Sequence, residues 1–434
     1  MREFSTYLLA GSALALMAVS SAQAGGFQRG SADTDILFEK GQFSSRFGLT
    51  YVDPQRGFTS INGQSGDFGG YTGDYQIPSV AIAFGGDDFS CAGTYVETFA
   101  ADADYTGSPG GALPQQASSF AGTGGVIADS NRTNLAGAAS VSRTASLSFK
   151  SNEFGATCRA SYTNDIGRFS VIGGLLAEDF HFEGRSFGTT FSVVPGLGRV
   201  AVATTQIDVD SDGEYKAGYR IGAAFEKPEI ALRVQAIYRS EIQHDDIAGS
   251  GAVRVLTSLV PTLPAGAVVG VASTLNEAIS PQSLTINAQT GIAADTLLLA
   301  SFRWTDWSTN KSVISSISNP AAGISSSSYS PYNWDDGYTA SLGIGRAFTD
   351  KISGVVSLGY DSGVSTGSET TYTDLYTVSA GVSLKPESWA EIRFGGLVGF
   401  WADGSQSISD GAYFNGEVGD DMVYAASGSL KLSF

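Results

Sequence analysis

The chain has 434 residues, 42% of them hydrophobic and only 16% charged, with a formal net charge of −18. That balance argues against a nucleic-acid partner, because phosphate binding needs clustered lysine and arginine. The 25 Phe, 18 Tyr and 55 Gly are spread along the chain and argue against disorder, and no apolar run after the first two dozen residues is long enough for a transmembrane helix.

Residues 1–24 read as a secretory signal peptide: Arg2, the apolar run Tyr7–Val19 and the small-residue site Ala22-Gln23-Ala24, so that the mature chain begins at Gly25. Residues 25–42 lack strand alternation and suggest a short plug at the mouth of whatever follows, with a loose N-terminus as the alternative. From residue 43 to residue 434 apolar and polar residues alternate in twos. The strands expected are 43–59, 75–85, 89–99, 141–163, 168–184, 206–226, 228–244, 281–293, 295–309, 334–348, 351–362, 371–385, 388–402 and 420–434, fourteen in all. Short turns at 85–88, 163–167, 226–228, 293–295, 349–350 and 385–387 alternate strictly with long connections at 60–74, 100–140, 185–205, 245–280, 310–333, 363–370 and 403–419. An even number of antiparallel strands, with short turns at one end and long loops at the other, is the pattern of a bacterial outer-membrane β-barrel. An exported chain without a membrane helix can span a bilayer only as a closed barrel. The last strand ends on Leu430, Leu432 and Phe434, and a terminal aromatic of this kind is what the outer-membrane assembly machinery reads.

Charges tell the two faces apart, since an Arg or Lys against lipid costs about 2–4 kcal/mol at the midplane. In 228–244, Val234, Ala236 and Tyr238 would face membrane lipid while Arg233, Gln235, Arg239 and Glu241 face the bore. The polar interior would carry Arg159, Arg220, Arg233, Arg239, Arg303 and Arg393, either orienting an acidic ligand or pairing with Glu226, Glu241 and Glu391. Trp304, Trp307, Trp334, Trp389 and Trp401 fall at strand ends, as interfacial girdles require. Cys91 and Cys158 have matching parity near one rim and suggest a structural disulfide. The acidic stretches, such as Asp208/Asp210/Asp212, lack metal-loop spacing and read as solvated loop acids, so no metal or cofactor is expected.

The segments PQSLTINAQTGIAADTLLLASFRWTDWS at 281–308, NWDDGYTASLGIGRAFTDKISGVVSLGYD at 333–361 and TDLYTVSAGVSLKP at 373–386 resemble the FadL family of outer-membrane transporters for long-chain fatty acids and other hydrophobic compounds. The likeness rests on a Pro-x-Ser-Leu strand start leading to Trp-x-x-Trp-Ser, an Asn-Trp-x-Asp strand start and a Tyr-Asp strand end. It implies a fourteen-stranded barrel, an N-terminal hatch, ligand capture among extracellular loops, and lateral release at a kink in the third strand, where Gly93 is the candidate hinge. Residues 25–42 are shorter than the family's hatches and lack their Asn-Pro-Ala motif.

Two of the long connections are unusually apolar. Phe187, Phe191, Val194 and Leu197 in one, and Val255, Leu256, Leu259, Val260 and Leu263 in the other, suggest either a groove for a hydrophobic ligand or a cap packed on itself. For a fatty acid the tail would dominate, because each buried methylene contributes about 0.8 kcal/mol against ~1.5–3 for one charge-assisted hydrogen bond. Catalysis finds little support. The two histidines, His181 and His244, belong to no recognisable motif, and a phospholipase would need a His-Ser pair. The expected function is passive uptake of hydrophobic molecules, with a general diffusion porin or a structural surface protein as the alternatives.

Overall fold

The computed structural model describes residues 27–39, 41–106, 140–194, 196, 198–412 and 414–434. The signal-peptide reading over 1–24, Leu197 and most of the 100–140 connection lie outside these residues.

Period-two alternation builds the wall, because a strand that is apolar on one face and polar on the other can close on itself around a wet bore. Fourteen strands do so: β1 Phe43–Pro54, β2 Tyr75–Gly85, β3 Phe89–Asp104, β4 Ser140–Thr163, β5 Arg168–Val194, β6 Gly198–Lys227, β7 Leu232–Arg239, β8 Ser283–Ala293, β9 Thr296–Thr305, β10 Gly337–Ala347, β11 Ile352–Asp361, β12 Leu375–Glu387, β13 Ala390–Trp401 and β14 Asp421–Ser433. All pairings are antiparallel, and β1 bonds both β2 and β14, so the sheet closes without an edge. Facing follows the charges. In β11, Val356 and Leu358 are 57% and 62% exposed on the outer face, while Ser357 between them is 3% exposed. Arg220, Arg233, Arg239, Arg303 and Arg393 are all buried on the inner parity. Glu241 is the exception to the expected lumen set: the wall strand breaks after Arg239, and its side chain is exposed.

Three connections expected to be loops are largely strand. β5 and β6 run on to Val194 and from Gly198, and Ile242–Ser258 pairs with Val268–Ser280. A third hairpin, Ser312–Asn319 with Ile324–Pro331, joins them, giving a continuous sheet that rises above the lipid band. The reason is local: Val253, Val255, Thr257, Val269 and Val271 are β-branched, and pairing outside the membrane satisfies their backbone groups just as well. Across the mouth, Phe58–Ile61, Gln64–Ser65, Gly404–Gln406 and Gly416–Val418 form a small cap sheet. Arg56 holds its base. The side chain is fully buried, donates to Thr370 O at 3.1 Å, Ala402 O at 3.0 Å and Thr373 Oγ1 at 2.6 Å, and pairs with Asp421 at 3.2 Å.

Residues 27–39 lie within the bore. Phe27 sits in an aromatic cluster at the upper end, Arg29 donates to Ala100 O at 2.9 Å, and a 3-10 turn over Thr34–Phe38 buries Ile36 and Leu37 against inward alanines of β2, β3 and β6. Charges tie it to the wall: Glu39 to Arg46 at 3.0 Å and to Lys431 at 2.8 Å, Asp35 to Arg233 at 3.3 Å, and Asp33 to Arg46.

Cys91 and Cys158 face each other directly across β3 and β4, with Cα atoms 4.0 Å apart, and are bonded. The bridge closes a separation of 67 residues that includes the long β3–β4 connection. A constraint on a loop of that length stabilises chiefly through the unfolded chain, by about 2–4 kcal/mol. We expect Cys91→Ser with Cys158→Ser to lower the urea midpoint of the refolded barrel accordingly; an unchanged midpoint would show that the pairing of β3 with β4 alone carries that stability.

Candidate functional site

Among the described residues, two cavities inside the barrel differ in the kind of lining they have. The upper one, about 170 Å³, lies between the raised sheet and the cap. Phe180 and Phe182 of β5, Leu275 of the raised sheet, Phe99 of β3, Trp307 and Trp334 are among its walls, and Phe27 contributes from the threaded segment. Phe27 is the hub of this aromatic group, with ring centroids 4.5 Å from Trp334, 4.6 Å from Tyr372 and 5.7 Å from both Trp307 and Phe149. Trp307, Trp334 and Trp401 are therefore not girdle residues as expected: all three are buried inside. Trp307 turns inward because a 3-10 turn, Trp307–Thr309, follows β9 and interrupts the strand alternation. Trp304 stays in the wall and donates to Asp336 at 2.9 Å; Trp389 alone is well exposed, stacked on Phe434 at 5.8 Å.

Beneath it lies a polar chamber of about 70 Å³, which Gln28 and Thr98 line while their chain neighbours Phe27 and Phe99 line the upper cavity. Here Glu153 accepts from Arg220 and, at 2.8 Å, from Arg239 Nε; Glu178 accepts from Arg239 Nη2 and, at 2.7 Å, from Thr98 Oγ1. His244 is completely buried with its Nε2 3.5 Å from Glu178. Arg303 donates through Nε to Thr285 Oγ1 at 2.9 Å and lines the chamber. The Arg239 guanidinium also sits 5.3 Å over the Phe99 ring, so one contact marks the border between the two cavities. Glu153 and Glu178, inward residues of β4 and β5, were not singled out from the sequence, although alternation around Arg159 and His181 assigns that parity.

The sequence-derived candidates divide between the walls. Arg220, Arg239 and Arg303 line the polar chamber. Arg159 lies lower, 3.4 Å from Glu226 and over the Phe38 ring at 4.5 Å, and Arg393 pairs with Glu391 at 2.7 Å. Phe187, Val255, Leu256, Leu259, Val260 and Leu263 lie on the raised hairpins and do not line the upper cavity; Val255 is buried and Leu259 is 73% exposed. Phe191 and Val194 belong to β5 by backbone, their side chains lying outside the described residues. Gly93 makes no bend: it pairs with Ala156 in unbroken register. The irregularity falls five residues on, where the β3–β4 register shifts between Glu97 and Phe99. At the same level the β4–β5 ladder skips Ser151 and Asn152, the β5–β6 register shifts between Glu178 and Phe180, and Asp179 takes the Asn152 N–H at 2.7 Å.

His181 lies on the outward parity of β5, thirteen residues on from Arg168, past the ~9–11 residues that one crossing takes. It is directly opposite Asp212, and Glu183 is opposite Asp210. Its ring nitrogens meet Glu183 at 2.9 Å and Asp212, and the donor atoms of His181, Glu183 and Asp210 lie within 4.8 Å of one another. Burial depresses the imidazolium, but hydrogen bonds to Glu183 and Asp212 outweigh it and raise the pKa above the usual histidine range. Both nitrogens are engaged by carboxylates, which leaves none to activate a serine.

No family model matches the chain, and no curated protein matches it in sequence. Solved structures do share its architecture. A Pseudomonas aeruginosa FadL homologue superposes with a TM-score of 0.63 at 13% identity, covering 95% of this chain and 96% of that one. The CymD monoaromatic hydrocarbon channel gives 0.62 at 14% identity, covering 92% and 90%, and the Ralstonia pickettii toluene transporter TbuX gives 0.57 at 12% identity, also covering 92% and 90%.

Proposed function

We propose that this chain, a fourteen-stranded barrel with the FadL-type fold, sits in the bacterial outer membrane and passively takes up compact hydrophobic molecules. The observation that carries the reading is the upper cavity. It is walled by aromatic and aliphatic side chains, is about 170 Å³ in volume, and has the segment 27–39 beneath it in the bore. An apolar cavity of about 150 Å³ is enough to bind benzene, so a single ring or a short branched chain fits, whereas a long acyl chain would have to extend beyond it. Channels of the same fold for monoaromatic hydrocarbons and toluene support this choice. Release would go sideways, since the bore is occupied while the β3–β6 ladder is interrupted at Thr98, Asn152 and Asp179, beside Phe99 of the cavity wall.

Ala278 lines the cavity, and Ala278→Phe places a ring where the ligand would lie. Calorimetric titration of the detergent-solubilised barrel with toluene should show binding lost in Ala278→Phe and unchanged in Leu256→Asp with Leu259→Asp. The reverse result would move capture to the raised hairpins. High ion conductance in a planar bilayer would instead favour an open porin.

A further inference from the structure

His181 meets carboxylates at both ring nitrogens, and this makes a chemical demand. A neutral imidazole has one N–H and can donate to Asp212 or to Glu183, but not to both. Asp212 lies at Nδ1, and Glu183 Oε1 is 2.9 Å from Nε2. Either the ring carries a second proton or a cation stands between Nε2 and Glu183. A third carboxylate, Asp210, comes within 3.9 Å of the ring, and the donor atoms of His181, Glu183 and Asp210 lie within 4.8 Å of one another. Neighbouring positive charge does not balance the three acids. Lys150 faces the ring from β4, while Arg185 is taken by Asp208 at 2.6 Å. With the ring protonated and Lys150 counted, three carboxylates still face two cations.

We propose that these side chains form a divalent-cation site of zinc type, with His181 Nε2, Glu183 and Asp210 as ligands and Asp212 holding the Nδ1–H. They stand as a square on a ladder rather than in a loop: His181 is directly opposite Asp212, and Glu183 directly opposite Asp210. Backbone pairing on both flanks of β5 fixes their spacing. Zinc bonds of about 2.0–2.2 Å put tetrahedral donors roughly 3.5 Å apart. The Glu183 and Asp210 side chains are exposed, so rotation alone closes or opens the present spacing to that value. One imidazole among carboxylates suits zinc-like ions, whereas calcium takes six to eight oxygens. A carboxylate on the far nitrogen is the partner that fixes the tautomer of a metal-bound histidine. Along the chain Asp210 and Asp212 read as solvated loop acids; only the pairing of β5 with β6 brings them to His181. The ion would tie β5 to β6 just above the register shift between Glu178 and Phe180, where the ladder lapses.

The test is calorimetric titration of the untagged full barrel, in a non-ionic maltoside, with zinc chloride and separately with calcium chloride. The wild type should bind one zinc ion per barrel at micromolar metal, and calcium at least tenfold more weakly. Because the ion takes the place of the ring's second proton, binding should release protons and weaken as the pH falls. His181→Asn should abolish zinc binding. Asp212→Asn leaves every proposed ligand in place and should weaken it by about 10- to 100-fold. The comparison of zinc with calcium in the wild type needs no variant and stands even if a substituted chain does not fold. No zinc bound at micromolar metal, equal binding of the two ions, or binding that survives His181→Asn overturns the site and leaves a protonated ring paired with its acids. Hydrocarbon capture is untouched by any of these outcomes, since none of the four residues lines the upper cavity.

Discussion

Val356→Arg should destabilise the barrel in a bilayer by about 2–4 kcal/mol, the cost of a basic side chain at the midplane of a lipid-facing wall, or roughly 30- to 1000-fold in the folded population. Val356 is the middle of β11, points outward and is flanked across the ladder by Ile344 and Ala380, neither of which offers an acceptor. Near an interface the same arginine would extend its head to water; from the middle of the strand it cannot do so without thinning the membrane. Urea unfolding of the protein reconstituted in vesicles measures the change, with Val356→Leu as the control expected to be close to neutral. A loss below about 0.5 kcal/mol for the arginine variant would mean that this face does not meet hydrocarbon, and the assignment of inside and outside would have to be abandoned.

That assignment was legible because alternation is a strict code. Val234 against Arg233 and Leu358 against Ser357 settle which parity faces lipid, and once one strand is set the ladder passes the register to its neighbours. Short turns such as Gly85–Asp88 and Lys385–Glu387 fixed the strand order for the same reason. What alternation does not encode is where a strand stops meeting lipid. The hairpin of Ile242–Ser258 with Val268–Ser280 carries the same β-branched residues as a crossing strand, and its apolar character read as a loop, either a ligand groove or a self-packed cap. Nor does it encode the residues that leave the strand. Trp307 and Trp334 sit in connections whose turns swing them into the bore, and Phe27 reaches them only because the threaded segment does. The disulfide was accessible from parity and distance to the rim. The chamber was half accessible: Arg220, Arg239 and Arg303 stand out as buried charge on an inward parity, but their carboxylate partners come from strands β4 and β5, and the pairing is a property of curvature around the barrel rather than of any one stretch.

Glu153→Leu is expected to cost about 3–5 kcal/mol, because removing one member of a buried ion network leaves the remaining charges uncompensated. Glu153 is 1% exposed and takes hydrogen bonds from two guanidiniums, so its loss removes a partner from both Arg220 and Arg239 in the bore. Arg239 retains Glu178, whereas Arg220 keeps only Thr157 Oγ1 at 3.0 Å. The two arginines should therefore respond differently in a double-mutant cycle. Adding Arg220→Leu to Glu153→Leu removes the orphaned charge and should recover a substantial part of the loss, while adding Arg239→Leu should recover less, since that change strands Glu178 in turn. The coupling between Glu153 and Arg220 should lie within about 0.5–3 kcal/mol, read from urea midpoints at constant slope. Additive single effects at Glu153 and Arg220 would mean that bore water already screens the pair, and a bore that wet could not hold the dry aromatic cavity directly above it.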